Sequence, residues 1–511
     1  MKKLISLLSL FLCMCLVLTG CNEGGNNGNS GNEDYNAPKN IMTTEEYHAS
    51  LDALLETENF SAADEAYLAK IDELSSGLKD MIAYNDDDLT TDTGTTYYVS
   101  NNGNDDNDGK SPETAWATLQ KVNGYVFGEG DLVVFERGSL WRGYLSVKSN
   151  VSYSAYGEGP KPKIWASTDG LTHGEWKQTE NANIWVLDKK LTQTDLGLII
   201  FNGGEYYGEQ KRNITDVKKN FDFLYKSSFC TDGAPDFKVY LYYDGGNPAE
   251  VFSAIDLNLD TKIITNGIIQ NVHINNLELR YGRGPFWAGG STNLKMSYCV
   301  CEWSGGFADT REGARYGGGS GCYGSCDGFV YDFCYFNQQF DSGVSPQYDY
   351  EDKTPVVNKD FITTNCLFEN IEYTLEYFNS QENTLENRFE NMQFNYNICR
   401  LGGYGFGTKA SISAYIKSWG HENSCYDCVI SHNIFDRALS LTLEIIGYEQ
   451  SESGNTLSYD RIPELKSNIY IQKKNKKFAN INKTIYKFNE ETYNRLESLG
   501  VDTGSVYMFS N

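Results

Sequence analysis

The chain has 511 residues, of which 40% are hydrophobic and 14% aromatic, and its formal net charge is −26 at pH 7. A charge this negative argues against nucleic acid and against an anionic membrane surface as binding partners. It also disfavours a polyanionic substrate unless a divalent cation bridges the two. The length allows two or three ordinary domains, or one long solenoid with additions.

The N-terminus has the pattern of an export signal. Lys2 and Lys3 precede an apolar run, and Leu18-Thr19-Gly20-Cys21 follows it. The LTGC sequence resembles the lipobox of bacterial lipoproteins. This resemblance implies a signal peptide over residues 1–21 and a lipid on Cys21, which would anchor the protein in the membrane at the bacterial cell surface. Residues 22–42 begin with NEGGNNGNSGNED and predict a flexible tether.

Residues 43–90 are the clearly helical region. Thr43 or Thr44 can cap a first helix, and a second helix follows after a short loop. The apolar residues recur at spacings of three and four, which is the period of an amphipathic helix. They are Tyr47, Leu51, Leu54 and Leu55 in the first helix, and Tyr67, Ile71, Leu74, Leu78 and Met81 in the second. The pattern predicts a helical hairpin that either packs on the main domain or acts as a spacer.

At Thr95 the pattern changes to short strands and turns. Residues 97–100 predict a strand, residues 101–109 an Asn/Asp/Gly loop, and Ser111-Pro112-Glu113 the start of a short helix. That helix has an apolar face able to cover the open end of a solenoid, so residues 95–170 are predicted to be a cap and the first coils. The acidic loop is either a Ca²⁺ site or a solvated turn; it lacks the Glu of an EF-hand loop.

The middle of the chain interrupts and then resumes this pattern. Residues 171–250 contain the alternating segments IWVLD, LGLIIFNG and FKVYLYYDG, which predict a small antiparallel β insertion. The coil pattern returns over residues 251–450. Residues 451–511 are predicted to form the last edge or cap.

A repeat runs from about Ile274 to Ala438. Its copies are NNLEL (275–279), YCVC (298–301), FCYF (333–336), NCLF (365–368), YNIC (396–399) and HNIF (432–435). In each copy an Asn or Cys is followed two residues later by Leu, Phe or Cys, which is the period of a strand. Copies 23–36 residues apart predict a solenoid whose inward Asn and Cys side chains stack as ladders. The cysteines are therefore predicted to be small core residues rather than zinc ligands.

The opening of this region resembles a known superfamily. The YYVS strand, the Gly/Asp/Asn loop, SPETAW and GEGDLVVFERGSLWRG are similar to the start of extracellular right-handed β-helix proteins of the pectate-lyase-like superfamily. That superfamily contains polysaccharide lyases and glycoside hydrolases, and some members carry a β-sandwich-like insertion between early coils. The resemblance covers about residues 95–447 and implies an all-β, right-handed parallel β-helix. Its motifs belong to the scaffold, so activity follows only by analogy of fold.

Candidate catalytic residues come from aligning the coils on the Asn/Cys position. The alignment places Asp341 and Tyr373 at seven residues downstream, Glu376 and Val344 at ten, and Asn379 and Gln347 at thirteen. Adjacent coils lie about 4.8 Å apart. Carboxylates on neighbouring coils therefore fall within the separations that glycosidic hydrolysis uses.

We expect Asp341 and Glu376 to act as the acid and the base or nucleophile, with Arg400 and Tyr373 orienting substrate or stabilising charge. Glu302 is a further candidate carboxylate beside the repeat. The residues predicted to bind substrate are polar or aromatic side chains near the same positions. They are Trp303, Arg315, Tyr316, Gln347, Tyr377, Asn379, Tyr404, Trp419 and Glu444.

The favoured interpretation is a cell-surface glycoside hydrolase that acts on an extracellular polysaccharide or oligosaccharide; the sequence assigns it no definite cofactor and leaves Ca²⁺ open. One alternative is a Ca²⁺-dependent polysaccharide lyase, with Arg311, Arg315 or Arg400 as the base and Asp327 and Asp341 as metal ligands. The other is a non-catalytic glycan-binding or adhesin module, which needs no cluster of carboxylates.

Overall fold

Each copy of the repeat forms the same corner of a coil. In the five copies after NNLEL the residue before the Asn or Cys has a positive φ, for example 51° at Tyr298 and 49° at Phe333, and this left-handed conformation turns the chain sharply. The next side chain then points into the core. In NNLEL the positive φ is at Asn276, so Leu277 takes the inward position instead of the predicted Asn.

Asn397 Nδ2 donates to Asn433 Oδ1 at 3.1 Å and so forms an amide ladder. This ladder continues the column of buried cysteines, such as Cys299, in the earlier coils. The predicted ladders are confirmed.

The computed structural model describes residues 38, 40–226, 230, 236–265, 267–308, 315–348, 356–379, 387–407, 410–419 and 423–510. Its coils pass through three sheets, which we call sheet 1, sheet 2 and sheet 3 in the order in which each coil enters them. The pairing between coils is parallel, and the fold is the predicted right-handed parallel β-helix.

The strands of sheet 1 are Thr96–Val99, Leu132–Glu136, Ser152–Tyr156, Gln270–Asn275, Ser291–Ser297, Cys326–Asp332, Val357–Thr364, Arg388–Glu390, Gln393–Asn395, Cys425–Tyr426, Val429–Ser431, Glu464–Lys466 and Asp502–Thr503. Those of sheet 2 are Leu140–Arg142, Lys163–Asp169, Leu196–Phe201, Tyr206–Tyr207, Ile255–Leu259, Glu278–Tyr281, Val300–Ser304, Tyr335–Gln339, Leu367–Glu369, Ile398–Arg400, Ile434–Asp436, Ile469–Lys473 and Val506–Ser510. Those of sheet 3 are Ser320–Tyr323, Ser342–Gln347, Tyr373–Tyr377, Ala414–Ser418, Leu441–Ile445, Lys477–Ile481 and Thr484–Lys487.

The remaining elements are helices, 3-10 turns and two-stranded pairs. The α-helices are Thr44–Leu55, Glu65–Ala83, Leu119–Gly124, Pro248–Val251 and Glu490–Ser498, and the 3-10 turns are Pro112–Thr114, Asn202–Gly204, Ile214–Asp216, Ala410–Ile412 and Tyr459–Arg461. Two-stranded pairs join Leu145–Ser146 to Ile264–Thr265, Phe307–Ala308 to Arg315–Tyr316, and Tyr448–Glu449 to Thr456–Leu457. No helix among the described residues is both long and apolar enough to cross a membrane.

The insertion has a small sheet and a core of its own. Its strands are Trp176–Gln178, Ile184–Leu187, Glu209–Gln210, Asp222–Leu224 and Tyr240–Tyr242. Two longer strands, Leu196–Phe201 and Ile255–Leu259, pair antiparallel and extend sheet 2 beyond Lys163–Asp169. The insertion is thereby joined to the solenoid through sheet 2.

The helical hairpin covers the outer face of sheet 2. Thr43 caps the first helix in a capping box with Glu46. Buried residues such as Ile71 and Leu78 pack with apolar side chains that sheet 2 turns outward, among them Ile434. The hairpin therefore packs on the solenoid.

The loop between the two helices extends the last strand of sheet 2. Phe60 N donates to Tyr507 O at 2.7 Å, and Ala63 N donates to Phe509 O at 2.8 Å. Phe509 N donates in return to Ser61 O at 2.9 Å. An open edge strand is a template for aggregation, and this loop occupies it.

The coils continue beyond Gly447 to residue 510, further than the repeat in the sequence shows. Val506–Ser510 is the last strand of sheet 2, and Leu496 of the C-terminal helix is buried in the solenoid core. The last coils and this helix therefore close the C-terminal end.

A buried carboxyl in the last coil predicts how stability depends on pH. Asp502 accepts hydrogen bonds from Ser505 Oγ at 2.5 Å and Tyr507 Oη at 2.9 Å. Burial outweighs these bonds and raises the pKa of Asp502 to about 7. Between about pH 4 and pH 7 the folded protein therefore keeps a proton that the unfolded chain releases, and stability from this group is lost as pH rises through that window.

Asp502→Asn should remove this dependence, because an amide cannot ionise. We expect the variant to be more stable than the natural protein at pH 8 by about 4 kcal/mol and to lose that advantage near pH 4. Thermal unfolding of both proteins across this range measures the difference. The same pH dependence in both would contradict the assignment.

Candidate active site

A row of polar side chains crosses the outer face of sheet 3. Glu376, Lys417, Glu444 and Asn480 pair in register on four neighbouring strands. The residues beside them, such as Ile416, are buried in the solenoid core. Because side chains alternate along a strand, the row faces away from that core.

Glu376 is held by two N–H donors. Trp419 Nε1 donates to its Oε1 at 2.5 Å, and Gln347 Nε2 donates to its Oε2 at 2.7 Å. The side chain is 4% exposed. Hydrogen bonds to an ionised carboxylate are short and directional, so these two fix the position of both oxygens.

Lys417 supplies the positive charge between the two glutamates. Its Nζ forms an ion pair with Glu444 and lies 4.2 Å from the centre of the Trp419 ring. Asn480 Nδ2 approaches the other oxygen of Glu444 at 3.5 Å. The lysine is therefore compensated both by a carboxylate and by an aromatic face.

Tyr373 connects this row to a second pair of carboxylates. Burial raises the pKa of the Tyr373 phenol well above its usual value, and the nearby charges of Asp341, Glu376, Glu372 and Glu444 raise it further. Its ring meets Trp419 edge to face at 5.9 Å. Four carboxylates thus lie close enough to act on one phenol, and a phenol with so high a pKa stays protonated.

The register between coils differs from the predicted alignment. Ser342 pairs with Tyr373 and Val344 pairs with Leu375, so the alignment of Val344 with Glu376 was wrong by one residue. The coil that begins at Cys366 reaches sheet 3 one residue sooner than the preceding coil. A slip of one residue exchanges the two faces of a strand, and the true register turns Glu376 outward.

The same slip hid Glu372. In the true register Glu372 precedes Tyr373 as Asp341 precedes Ser342, so the two acids lie side by side on adjacent coils. Tyr373 N donates to Asp341 O at 3.1 Å, which ties these coils together. Glu372 is 1% exposed and Asp341 is 9% exposed.

Of the predicted residues, the structure brings Asp341, Gln347, Tyr373, Glu376, Trp419 and Glu444 together, and we call them, with Glu372 and Lys417, the sheet 3 cluster. Arg400 and Glu302 lie elsewhere, on strands of sheet 2. Arg400 pairs with Asp436 at 3.0 Å and with Asp72 of the helical hairpin. Glu302 pairs with Arg280 at 2.7 Å. Both are bound in scaffold ion pairs instead of joining the cluster.

Three further predicted residues have structural contacts. Arg315 Nε donates to Gly306 O at 2.6 Å, and burial lowers the pKa of Arg315 to about 10. Asn379 Oδ1 accepts from Asn358 Nδ2 at 2.9 Å inside the corner between sheet 3 and sheet 1. Tyr377 is fully buried in the core. Arg315 and Asn379 thus bond within the scaffold, and Tyr377 packs in the solenoid core.

The aromatic residues predicted to bind substrate lie in different environments. Trp303 is buried, with its ring 5.9 Å from that of Phe406. Tyr316 is half-buried on a short strand that pairs with Phe307–Ala308. Tyr404 is 51% exposed and available for contact with a ligand.

The predicted lyase constellation is not assembled. Asp327 lies on sheet 1 in an ion pair with Lys359 at 3.1 Å, while Asp341 precedes a strand of sheet 3. Arg311 and Cys21 lie outside the described residues. Within the described ranges no group of three or more His, Cys, Asp or Glu side chains is arranged to hold a metal ion.

The acidic loop near residue 105 is bonded to its own backbone. Asp105 accepts from Ala117 N at 2.8 Å and from Thr118 Oγ1 at 2.6 Å. Partial burial would raise the pKa of Asp105, but these bonds outweigh it and lower that pKa. The aspartate therefore has a structural role in closing the loop.

Comparison with known proteins gives one local match. No family model matches the chain. A stretch of 106 residues is 37% identical to a lacto-N-biosidase of Bifidobacterium longum subsp. longum; it covers 19% of this chain and 7% of that protein. The chain thus matches less than a tenth of the length of this relative.

Two solved structures have a similar course over most of the chain. A complex of XylC with xylose has 10% identity and a TM-score of 0.45, covering 81% of this chain and 82% of that one. A GH136 lacto-N-biosidase from Eubacterium ramulus has 11% identity and a TM-score of 0.32, covering 92% and 81%. These scores are too low to carry an argument about function. What stands is a similarity in sequence, over one short stretch, to a lacto-N-biosidase.

Proposed function

We propose that the protein is a glycoside hydrolase and that the sheet 3 cluster is its active site. The observation that carries the proposal is the strand register, which places Glu376 and Glu444 in one outward row of sheet 3 and Asp341 and Glu372 side by side on adjacent coils. Hydrolysis of a glycosidic bond needs two carboxyl groups, one to protonate the leaving oxygen and one to activate water or attack the sugar. No metal or organic cofactor is needed for this chemistry.

The contacts suggest a division of roles. Glu376 is held in place by Trp419 and Gln347, which suits the ionised base or nucleophile. Asp341 is the more exposed member of the neighbouring acid pair and suits the proton donor. The protonated Tyr373, on the same strand as Glu376, can donate a hydrogen bond to charge that develops on the substrate.

Elimination remains the second candidate because of one observation. Lys417 lies inside the cluster, and a lyase would need a base of this kind. Its Nζ is engaged in an ion pair with Glu444, so it is not free to reach a substrate proton. The local sequence similarity to a lacto-N-biosidase also supports hydrolysis, and it makes lacto-N-bioside oligosaccharides the first substrates to test.

We also propose that the protein acts at the bacterial cell surface, anchored through a lipid on Cys21. The support is the LTGC sequence after an apolar run. The predicted leader, residues 1–21, lies outside the described residues.

The test is product analysis with a panel of oligosaccharides and aryl glycosides that includes lacto-N-tetraose and an aryl lacto-N-bioside. We expect products whose combined mass equals substrate plus water, and a rate that EDTA does not change. Products that carry an unsaturated uronate, together with loss of rate in EDTA, would establish the lyase instead. Binding without cleavage of any member would establish the glycan-binding module.

A further inference from the structure

An aromatic cluster joins the insertion to the solenoid. Tyr207 lies on the short insertion strand Tyr206–Tyr207, and its ring is 5.7 Å from that of Trp303 and 6.2 Å from that of Phe406. Gly204 makes this approach possible. Its φ is +118°, and a Cβ there would come within 2.8 Å of the Trp303 ring.

Tyr207, the outer member of this cluster, is 41% exposed, while Trp303 and Phe406 are buried. Tyr404, two residues before Phe406 in the sequence, is 51% exposed. A tyrosine offers an apolar ring face and a polar hydroxyl, which matches the apolar and hydroxylated sides of a pyranose. Packing against buried rings holds the Tyr207 ring in one orientation, so little conformational entropy would be lost on binding.

The segment 401–407 also contacts the sheet 3 cluster. Residues 401–407 carry both Tyr404 and Phe406, and Phe406 N donates to Gln338 Oε1 at 3.1 Å. At the end of this turn a Cβ on Gly407 would collide with a carboxylate oxygen of Glu372. The ring of Phe340, which directly precedes Asp341, lies 5.5 Å from that of Phe406. The segment that carries Tyr404 and Phe406 is therefore packed against Phe340, next to Asp341, and against Glu372.

We propose that Tyr207 and Tyr404 form a stacking platform for a sugar ring that is not itself cleaved. This inference rests on the proposed function. The substrate would be an oligosaccharide whose cleaved bond lies at the sheet 3 cluster while another of its sugar rings lies on the platform. The insertion would then set the preference for chain length, since it supplies Tyr207. The platform acts through binding rather than through the bond-breaking step.

Tyr207→Ala and Tyr404→Ala test the platform, with Tyr144→Ala as the control. Tyr144 is also exposed, at 47%, but belongs to the N-terminal coils. With the best oligosaccharide of the panel, we expect each platform variant to raise KM about fivefold and to leave kcat unchanged, since a lost stacking contact is worth about 1 kcal/mol. A KM equal to that of Tyr144→Ala, or a fall in kcat without a change in KM, would overturn the platform.

The failure of the platform can be distinguished from failure of the proposed function. If the natural protein hydrolyses nothing, the proposed function fails, and calorimetric titration with lacto-N-tetraose still tests the platform. Weaker binding by Tyr207→Ala than by Tyr144→Ala would support it. Equal binding by both variants, or no binding by the natural protein, would overturn it.

Discussion

Glu376→Gln is expected to lower kcat by about 1000-fold while the protein stays folded. The change removes the negative charge that would activate water or attack the sugar. It also places an amide N–H₂ against a donor, because Trp419 and Gln347 each donate to one oxygen of the carboxylate. The site would lose both its charge and the contacts that fix its geometry. Asp341→Asn should have an effect of similar size on substrates whose leaving group needs a proton.

The matched control is a carboxylate far from the cluster. Glu390 lies on sheet 1 and pairs with Arg388 at 2.5 Å, so Glu390→Gln loses a charge without touching sheet 3. Steady-state kinetics and thermal unfolding of the three variants separate chemistry from stability. Turnover close to that of the natural protein in both Glu376→Gln and Asp341→Asn would rule out the proposed pair.

Ile71→Ala in the second helix is expected to lower the free energy of unfolding by about 2–5 kcal/mol. Ile71 is fully buried between the hairpin and sheet 2, and its truncation leaves a cavity that packed neighbours cannot refill. Deletion of residues 43–84 should do more. It would expose the apolar outer face of sheet 2 and free the edge strand Val506–Ser510, and we expect it to cause aggregation.

Glu73→Ala is the control for the point variant, since Glu73 is exposed on the same helix. Denaturant unfolding measures the first effect, and size-exclusion chromatography of the deletion variant measures the second. A monomeric deletion variant with unchanged Tm would show that the hairpin is a spacer after all.

The sequence predicted the scaffold well because its repeat is local. In five of the six copies the Asn or Cys lies at a corner set by one residue of positive φ, and the neighbouring Leu, Ile or Phe alternates with it. These features depend only on a few consecutive residues. The antiparallel insertion and the helical hairpin were also visible as changes of period.

The site was harder to predict because it depends on loop length and distant partners. One residue fewer between Cys366 and sheet 3 shifted the register of this coil and hid Glu372. Arg400 was misplaced because its partner Asp72 lies 328 residues away in sequence. Lys417 had no motif around it, and only the pairing of Glu376 with Lys417 and of Lys417 with Glu444 reveals it.

The most direct test of the central claim is to find which carboxylate a substrate-like reagent labels. An epoxyalkyl glycoside of the hydrolysed sugar should inactivate the enzyme, and peptide mapping by mass spectrometry should place the ester on Asp341, Glu372, Glu376 or Glu444. Inactivation accompanied by a label on Glu302, or on any carboxylate of sheet 1, would contradict the assignment of the sheet 3 cluster as the active site.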